Sequence, residues 1–589
     1  MNLPLSQLKQ YSSIFLKLLG SGVYLTYFLV AIAVFAEGVG LTIAIPFILE
    51  ILGNGYDSTK LIKFYGYNLT ILYKDAVIII IILVIIKSLL IFVSQALVAN
   101  YKSKLHYIFK KKISSSLANI NYQYFQAKNR SHYVNVFFEQ TNLAVGAFSH
   151  LVGVSAQIIS VVIYLLFALF TSFYFGVAAM SIGFLLIILF RKLNGYIRKL
   201  SREGVKQNSK LASYFIQRLD GYKYLFATNQ LAKFLKKEEM SIRKLTNMQR
   251  VSGYFSAFTR AIKEPLGFLL LFSLIIFFTY DIESNISHIL VSVALFYKAY
   301  SVMMGLQNKW QTTMEIIGSV EVVDSEINDL STNLYNSNNR TKAPKDFNIE
   351  FIDVGFTHIN NPQPTLNNIT FNLPHLATLA IVGPSGAGKS TLVDLITGLL
   401  EPTTGQILIN GYDISTINMQ EFRNSIGYVT QDSILFNDSI ANNITMDLGA
   451  KSIDEHTLSK VTEAAKLAHI NEFILTLDKG YCHEIGDKGT VLSGGQKQRL
   501  FLARELFRNP NLLILDEATS ALDMVSEGFI IETLAALKGK ITVIIIAHRI
   551  STIRHADRVL VISDGSIVQD DALDVLKNYG YVKDVLSLS

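Results

Sequence analysis

The chain has 589 residues, of which 50% are hydrophobic and 17% charged, with a net charge of +7 and a mean hydropathy of +0.34. The charge averages two unlike parts: basic side chains exceed acidic ones by 17 in residues 1–347, and acidic exceed basic by 10 in residues 348–589. A uniformly basic nucleic-acid binder would not divide this way, a disordered chain would not be this apolar, and the hydropathy argues against a wholly soluble protein. The single cysteine, Cys482, excludes an intrachain disulfide and is expected as a small core residue.

In chain order, residues 1–22 place hydrophobic residues at helical spacing with Lys9 and Lys17 between them, which predicts an interfacial helix leading into the membrane. Six stretches then approach the roughly 20 apolar residues that a bilayer-crossing helix needs, at about 24–51, 75–98, 148–172, 174–190, 265–282 and 286–306. Residues 101–146 contain seven Lys and Arg and one acid, Glu139, and residues 191–264 are also rich in Lys and Arg. The tendency of basic loops to stay inside puts both loops and both termini in the cytoplasm. Both loops keep helical periodicity, so the spans are expected to run on beyond the membrane and to turn near 124–132 and 219–229, where they would dock on a second module. Residues 52–74 form a long outer loop with apolar and aromatic residues at helical spacing, predicting a short helix that meets lipid tails. A helical continuation to about Leu330 is followed by polar STNLYNSNNRTKAPKD, a linker. The domains are thus expected at 1–330 and 348–589, joined by 331–347.

The second part opens its chemistry with LAIVGPSGAGKSTLVDLI, a short apolar strand, a glycine-rich turn and a helix. Gly383, Gly386 and Gly388, with Ser385 and Ala387 between them, let backbone amides approach phosphate; Lys389 reaches the terminal phosphates, Ser390 ligates Mg²⁺, and Thr391 follows on the helix. At 512–517, LLILDE supplies a buried strand ending in Asp516, a metal ligand through water, and Glu517, a carboxylate able to polarise the attacking water.

Between these motifs lies LSGGQKQR at 492–499, and here the sequence resembles the ATP-binding cassette family. The resemblance implies that Gln431 senses the γ-phosphate and touches the metal, that Ser493, Gly494, Gly495 and Gln496 form the signature loop, and that Ser520 to Asp523 make a dimer contact. It also implies that His548 is the switch residue on the γ-phosphate. The implied catalytic set is Glu517, His548, Gln431 and Lys389; the metal set is Ser390, Gln431 and Asp516; the cofactors are ATP and Mg²⁺. Two positions depart from the family pattern. His358 stands where an aromatic, usually Tyr, stacks on adenine, and Asp487 stands where exporters carry Glu. The implied fold is an α-helical membrane domain with six transmembrane helices of exporter type, followed by an α/β P-loop NTPase domain. Because a signature loop closes over nucleotide held by another copy, the implied partner is a second identical chain, a heterodimer with a degenerate partner being the alternative, with membrane lipid and an amphiphilic substrate and no nucleic acid.

Ionisable residues within spans are costly and so are functional candidates. Glu37, Lys87, Arg260, Lys298 and Lys309 are the cavity candidates, either as a basic belt for an anionic headgroup or as a Glu37–Lys87 pair with snorkelling ends. The segments AEGVGLTIAIPFI from Ala36, ANINYQYF from Ala118 and LFNDSIANNIT from Leu435, with Lys87 and Arg260, are similar to bacterial lipid-linked oligosaccharide flippases. That similarity implies ATP-driven flipping of such a glycolipid in a bacterial inner membrane; a multidrug, lipid or peptide exporter is the alternative.

Overall fold

In this computed structural model the chain divides into two compact units, Met1–Leu334 and Tyr335–Ser589. The described residues are 4–54, 61–64, 67–171, 173–262, 264–269, 272, 276, 286–334, 341–358, 363–486, 489–517, 523–547 and 549–572.

The first unit is built from long helices. Helix α1 (Pro4–Leu19) starts at proline, whose fixed φ suits a first turn, and stops before Gly20, which takes φ +78°. Its Tyr11, Phe15 and Leu19 lie one turn apart and are buried, Phe15 against Phe109 and Phe148. Helix α2 (Val23–Asn54) follows. The outer segment is not the expected helix: β1 (Leu61–Phe64) and β2 (Tyr67–Leu72) pair as an antiparallel hairpin, Leu61 opposite Leu72. Leu-Ile-Lys-Phe and Tyr-Asn-Leu-Thr-Ile-Leu are rich in β-branched and aromatic residues, and local pairing prevails over a helical spacing too short to sustain a helix.

Then come α3 (Tyr73–Ala118), α4 (Tyr122–Ala127), α5 (Arg130–Asn135), a π-helical turn (Val136–Gln140) and α6 (Thr141–Thr171). Helices α7 (Phe173–Asp220), α8 (Tyr222–Ala227), α9 (Leu231–Ala261) and α10 (Ile286–Thr332) follow, and residues 264–269 between the last two are also helical. With 46, 48 and 47 residues, α3, α7 and α10 reach about 70 Å at 1.5 Å per residue, over twice the ~30 Å hydrocarbon core of a bilayer. Among the described residues, three helices are long and apolar enough to cross a membrane, Val23–Ala44, Asp75–Ala118 and Arg130–Leu169. The fourth, fifth and sixth expected spans each include residues or side chains outside the described set.

Short helices occupy the expected loop tips. Asn121 caps α4 by accepting from the Gln123 amide, and the tip is tied to the end of α10 by the Ile120–Leu334 bridge and the Asn121 amide on the Asn333 carbonyl, 3.0 Å. Buried Glu326 of α10 accepts Lys128 and His132 on one oxygen, 2.8 Å each. Helix α8 leaves Tyr222, Tyr224 and Phe226 exposed.

One carboxylate closes the joint of α1, α7 and α10. Glu321 accepts Tyr11 Oη at 2.6 Å, Arg198 Nη2 at 2.8 Å, and Arg202 through Nε at 2.6 Å and Nη2 at 2.7 Å. Burial alone would raise its pKa, but the hydrogen bonds from Arg202, Tyr11 and Arg198 hold it down at about 2.

The second unit carries two sheets. A four-stranded antiparallel sheet has the order β4-β3-β6-β7, from β3 (Ile349–Phe356), β4 (Leu366–Leu373), β6 (Thr404–Ile409) and β7 (Tyr412–Asp413). The other sheet has the order β12-β11-β5-β10-β9-β8, from β5 (Thr378–Val382), β8 (Ile426–Val429), β9 (Leu512–Asp516), β10 (Thr542–Ile546), β11 (Arg558–Ser563) and β12 (Ser566–Asp571). Its strands β11, β5, β10, β9 and β8 pair in parallel. Every residue of β5 and β10 is buried, as a parallel sheet covered on both faces requires. Cys482 is not a core residue: it ends the 3-10 turn Gly480–Cys482 and is exposed, because the short turn on which it sits buries none of its residues.

A carboxylate whose folded pKa is depressed contributes stability that is present above its unfolded value and lost as pH falls through the folded one. Glu321→Gln is therefore expected to lower the thermal unfolding midpoint of the detergent-solubilised chain by several degrees at pH 7. The gap from wild type should narrow as pH falls from about 5 toward 2, as the unfolded and then the folded carboxyl of the wild type take up protons. A pH-independent gap would show that Glu321 acts only through packing.

Candidate functional site

The parallel strands bring four chain segments to one edge of the sheet, at their C-terminal ends, where open α/β sheets bind ligands. Strand β5 leads to Gly383, β8 to Gln431, β9 to Asp516 and Glu517, and β10 to Ala547.

The phosphate loop needs its glycines for different reasons. At Gly383, φ +156°, an added Cβ would run into the Ile562 carbonyl oxygen; at Gly388, φ +101°, it would lie 2.6 Å from Leu366 Cδ2 and 3.1 Å from the Thr365 carbonyl. Gly386 takes φ +83° with open space around it, consistent with a backbone left bare for a ligand. Gly388 precedes the helix Lys389–Ile396, so Lys389, Ser390 and Thr391 form its first turn and its N-terminal dipole points at the loop. Lys389 folds back over the loop, Nζ donating to the Gly383 and Pro384 carbonyls at 2.9 Å each. Burial pushes its ammonium below the usual lysine range, opposed by the nearby Glu517 and Asp516 carboxylates.

Gln431 Nε2 donates to Glu517 Oε2 at 2.9 Å. Glu517 takes φ +50° and its amide donates to the Ile546 carbonyl at 3.2 Å, which turns the residue at the strand end. Asp516 Oδ2 accepts Tyr428 Oη at 3.3 Å. Asp394 was not singled out by its sequence: burial, with the Asp516 carboxylate beside it, pushes its carboxyl up to about 6. Its place four residues after Ser390, on the same face of the helix, is the signal that could have found it.

His358 meets the Phe356 ring edge-on, centroids 4.8 Å apart. The Phe356 carbonyl accepts the Thr365 amide, and Thr365 in turn lies against Gly388, so the strand end before His358 is tied to the segment beside the phosphate loop.

Ser493 caps the helix Gly494–Phe507 in a capping box, Ser493 Oγ accepting the Gln496 amide at 3.3 Å and Gln496 Oε1 accepting the Ser493 amide at 2.8 Å. Gly495 has no room for a side chain because Ser526 Oγ abuts it. Asp523 caps the helix Met524–Leu537, accepting the Ser526 amide at 3.4 Å. Along the signature helix, buried Arg504 donates to the Asn443 and Ile434 carbonyls at 2.7 Å each and to Asn443 Oδ1 at 3.0 Å, fixing the segment that follows Gln431. Glu527 accepts Arg549 and Ser551, which bracket the end of β10 onto the helix after β9. His548, Asp487 and Ser520 to Leu522 lie outside the described residues.

In the helical unit, the cavity candidates separate. Glu37 of α2 accepts Lys87 of α3 at 2.9 Å and Lys298 of α10 at 2.7 Å. Lys309 lies three turns further along α10 than Lys298, against Gly153 of α6, where a Cβ would be 2.9 Å from the lysine Nζ. Arg260 sits exposed on the last turn of α9 and shares no ion pair with the others among the described residues. The Glu37–Lys87 pair is present, and Lys298 joins it.

Replacing Gly383 by Ala is expected to abolish binding of a fluorescent ATP analogue, because the clash is with backbone on a neighbouring strand. Gly386→Ala, which meets only backbone strain of about 1–2 kcal/mol, should bind within about tenfold of wild type. Equal losses in the two variants would show that the loop is not built as described.

Residues 366–520 match the family model described as ABC transporter. Over 221 residues the chain is 46% identical to the "Putative multidrug export ATP-binding/permease protein" of Staphylococcus aureus strain NCTC 8325 / PS 47, and equally to that of strain bovine RF122/ET3-1. Each match covers 38% of this chain and 37% of the relative's own length. A solved structure titled as a bacterial Atm1-family ABC exporter with ATP bound superposes with a TM-score of 0.79 at 22% identity, covering 96% of this chain and 98% of that one. Residues 366–520 therefore match an ABC transporter domain, and the whole chain shares the fold of that solved exporter.

Proposed function

We propose that this chain is an integral protein of a bacterial inner membrane that works as a homodimer and uses ATP hydrolysis to export an anionic amphiphile, with a lipid-linked oligosaccharide as the best-fitting substrate class. The ATPase reading rests on the Gln431–Glu517 hydrogen bond at the strand ends that also present Lys389 and the phosphate loop. Lys389 would exchange the Gly383 and Pro384 carbonyls for terminal phosphate oxygens. Gln431 orients Glu517 to take a proton from water attacking in line, and His548 completes the γ-phosphate contacts. Ser390, Gln431 and Asp516 offer the hard oxygen donors that Mg²⁺ takes in small number, and the crowded Asp394 and Asp516 carboxyls favour a cation. When bound, Mg²⁺ supplies charge neutralisation of the phosphates.

Two observations support a second copy. The aromatic face of α8 is exposed in its own unit, and the signature loop bonds only to its own helix start among the described residues. The anionic substrate is supported by the two ammonium groups on the single Glu37 carboxylate. Multidrug export is the second reading, favoured by the printed name of the Staphylococcus aureus relatives.

Glu517→Gln is expected to keep ATP affinity within about threefold and to lower turnover at least about 100-fold, measured by nucleotide binding and phosphate release. Unchanged turnover would sink the assignment of Glu517. In proteoliposomes, a polyprenyl-pyrophosphate glycan should stimulate ATPase activity several-fold and cationic amphiphilic drugs should not; the reverse pattern would establish the multidrug reading.

A further inference from the structure

We infer that Glu37 is an internal counter-anion: it occupies Lys87 and Lys298 when no substrate is present and is exchanged for the substrate's phosphate, so that it sets the affinity of the helical unit for anionic headgroups. This inference rests on the anionic-amphiphile reading.

The two oxygens of Glu37 are divided between helices, Oε2 to Lys87 of α3 at 2.9 Å and Oε1 to Lys298 of α10 at 2.7 Å, and the carboxylate also accepts the Tyr164 hydroxyl of α6. Two ammonium groups on one carboxylate leave one positive charge uncompensated, and among the described residues no other acid pairs with either lysine. Exposure is graded in the direction that exchange requires. The carboxylate side chain is 16% accessible, whereas Lys87 is 29% and Lys298 38% accessible. Both ammonium side chains are thus more accessible than the carboxylate they share.

The carboxylate is also the fixed member. Next to it, Gly38 packs so tightly on Phe167 that a Cβ would lie 2.5 Å from the ring. Val34, one turn earlier, is buried with Tyr164 and Ala299, the neighbour of Lys298. Helix α2 is thus pinned to α6 and α10 at this level, while the lysines move on four-carbon stems. An ammonium is a point charge with no preferred fork, so it can trade one anionic oxygen for another without losing a fixed geometry. A phosphate or pyrophosphate carries more oxygens and more charge than one carboxylate and can span both ammonium groups. A lipid headgroup and a free anion share this chemistry.

The test uses the full-length purified chain in detergent, with ADP and Mg²⁺ saturating the cassette, and measures binding of geranylgeranyl pyrophosphate, inorganic pyrophosphate and neutral geranylgeraniol by thermophoresis. Glu37→Gln is expected to bind geranylgeranyl pyrophosphate about tenfold more tightly than wild type, with geranylgeraniol unchanged. Adding Lys298→Gln to Glu37→Gln should cancel the gain. Glu37→Asp, whose shorter chain cannot reach both lysines, should show an intermediate gain, and it decides the matter if Glu37→Gln does not fold. A gain confined to the lipid assigns the exchange to a headgroup, and an equal gain for inorganic pyrophosphate supports it for a free anion. Unchanged or weaker binding in a folded variant would overturn the inference. Because binding is read directly, a gain here combined with no ATPase stimulation by the glycan would reject that substrate and keep the counter-anion.

Discussion

Parallel pairing of β5, β10, β9 and β8 is the constraint from which the nucleotide site follows. The register sets Ile381 beside Ile546, Ile546 beside Asp516, and Val429 beside Leu515. These strands therefore end level, and the loops that leave them begin within reach of one another. A slip of one residue would turn every side chain of a strand to the other face and carry Glu517 away from Gln431. The left-handed backbone at Glu517 belongs to the same constraint. A non-glycine residue there is strained by about 1–2 kcal/mol, and the Ile546 carbonyl and the Gln431 amide hold it in place. The glycines of the phosphate loop then meet what the sheet dictates: Gly383 must pass a carbonyl of β11, and Gly388 must pass the start of β4.

The helical unit repeats a different device, one carboxylate shared by several donors where helices meet. Glu37 joins α2 to α3 and α10, Glu321 joins α10 to α1 and α7, and Glu326 joins α10 to the segment after α4. Helix α10 takes part in all three joints, through Lys298, Glu321 and Glu326, and its end is bridged to Ile120 at the base of α4. Apolar helices gain little from one another's apolar faces in lipid, so close packing at small residues and polar contacts must fix their register. Gly38 against Phe167 and Gly153 against Lys309 supply the first, and the shared carboxylates supply the second.

The cassette chemistry was legible because its motifs are local: the phosphate loop, LLILDE and the signature each place their residues within one turn or strand end. What was missed there depends on contacts across the fold. Asp394 matters only because Asp516 lies beside it, and Arg504 and Glu527 matter only because distant loops fold onto them. In the helical unit, hydrophobic runs located the long helices and their turns at α4 and α8, but periodicity misread residues 61–72, where strand pairing prevails over spacing. Cys482 was misplaced in the core because burial preference for a residue type says nothing about the short turn that carries it. The charges of the spans were visible as charges, and the Glu37–Lys87 pairing was within reach of the sequence; the arrival of Lys298 from more than 200 residues away was not.

The shared carboxylates differ in what holds them, and the difference sorts fixed joints from an exchangeable one. Glu321 is gripped by an arginine fork, a second arginine and a tyrosine, and its carboxyl is held down at about 2. A planar guanidinium gives its best geometry to one carboxylate and loses it on exchange. Glu326 is buried at 3% exposure, where no incoming anion can replace it without unpacking α5 from α10. Glu37 is held by two lysines and the Tyr164 hydroxyl, with no arginine fork and with less burial than Glu326. Glu321 also carries two cations on one carboxylate, but its guanidinium groups are committed to a fixed geometry. At an open joint made of flexible point charges, the same excess attracts an anion. The cations chosen at each joint, Arg and Arg at the first, Lys and Lys at the last, therefore separate a clamp from a site.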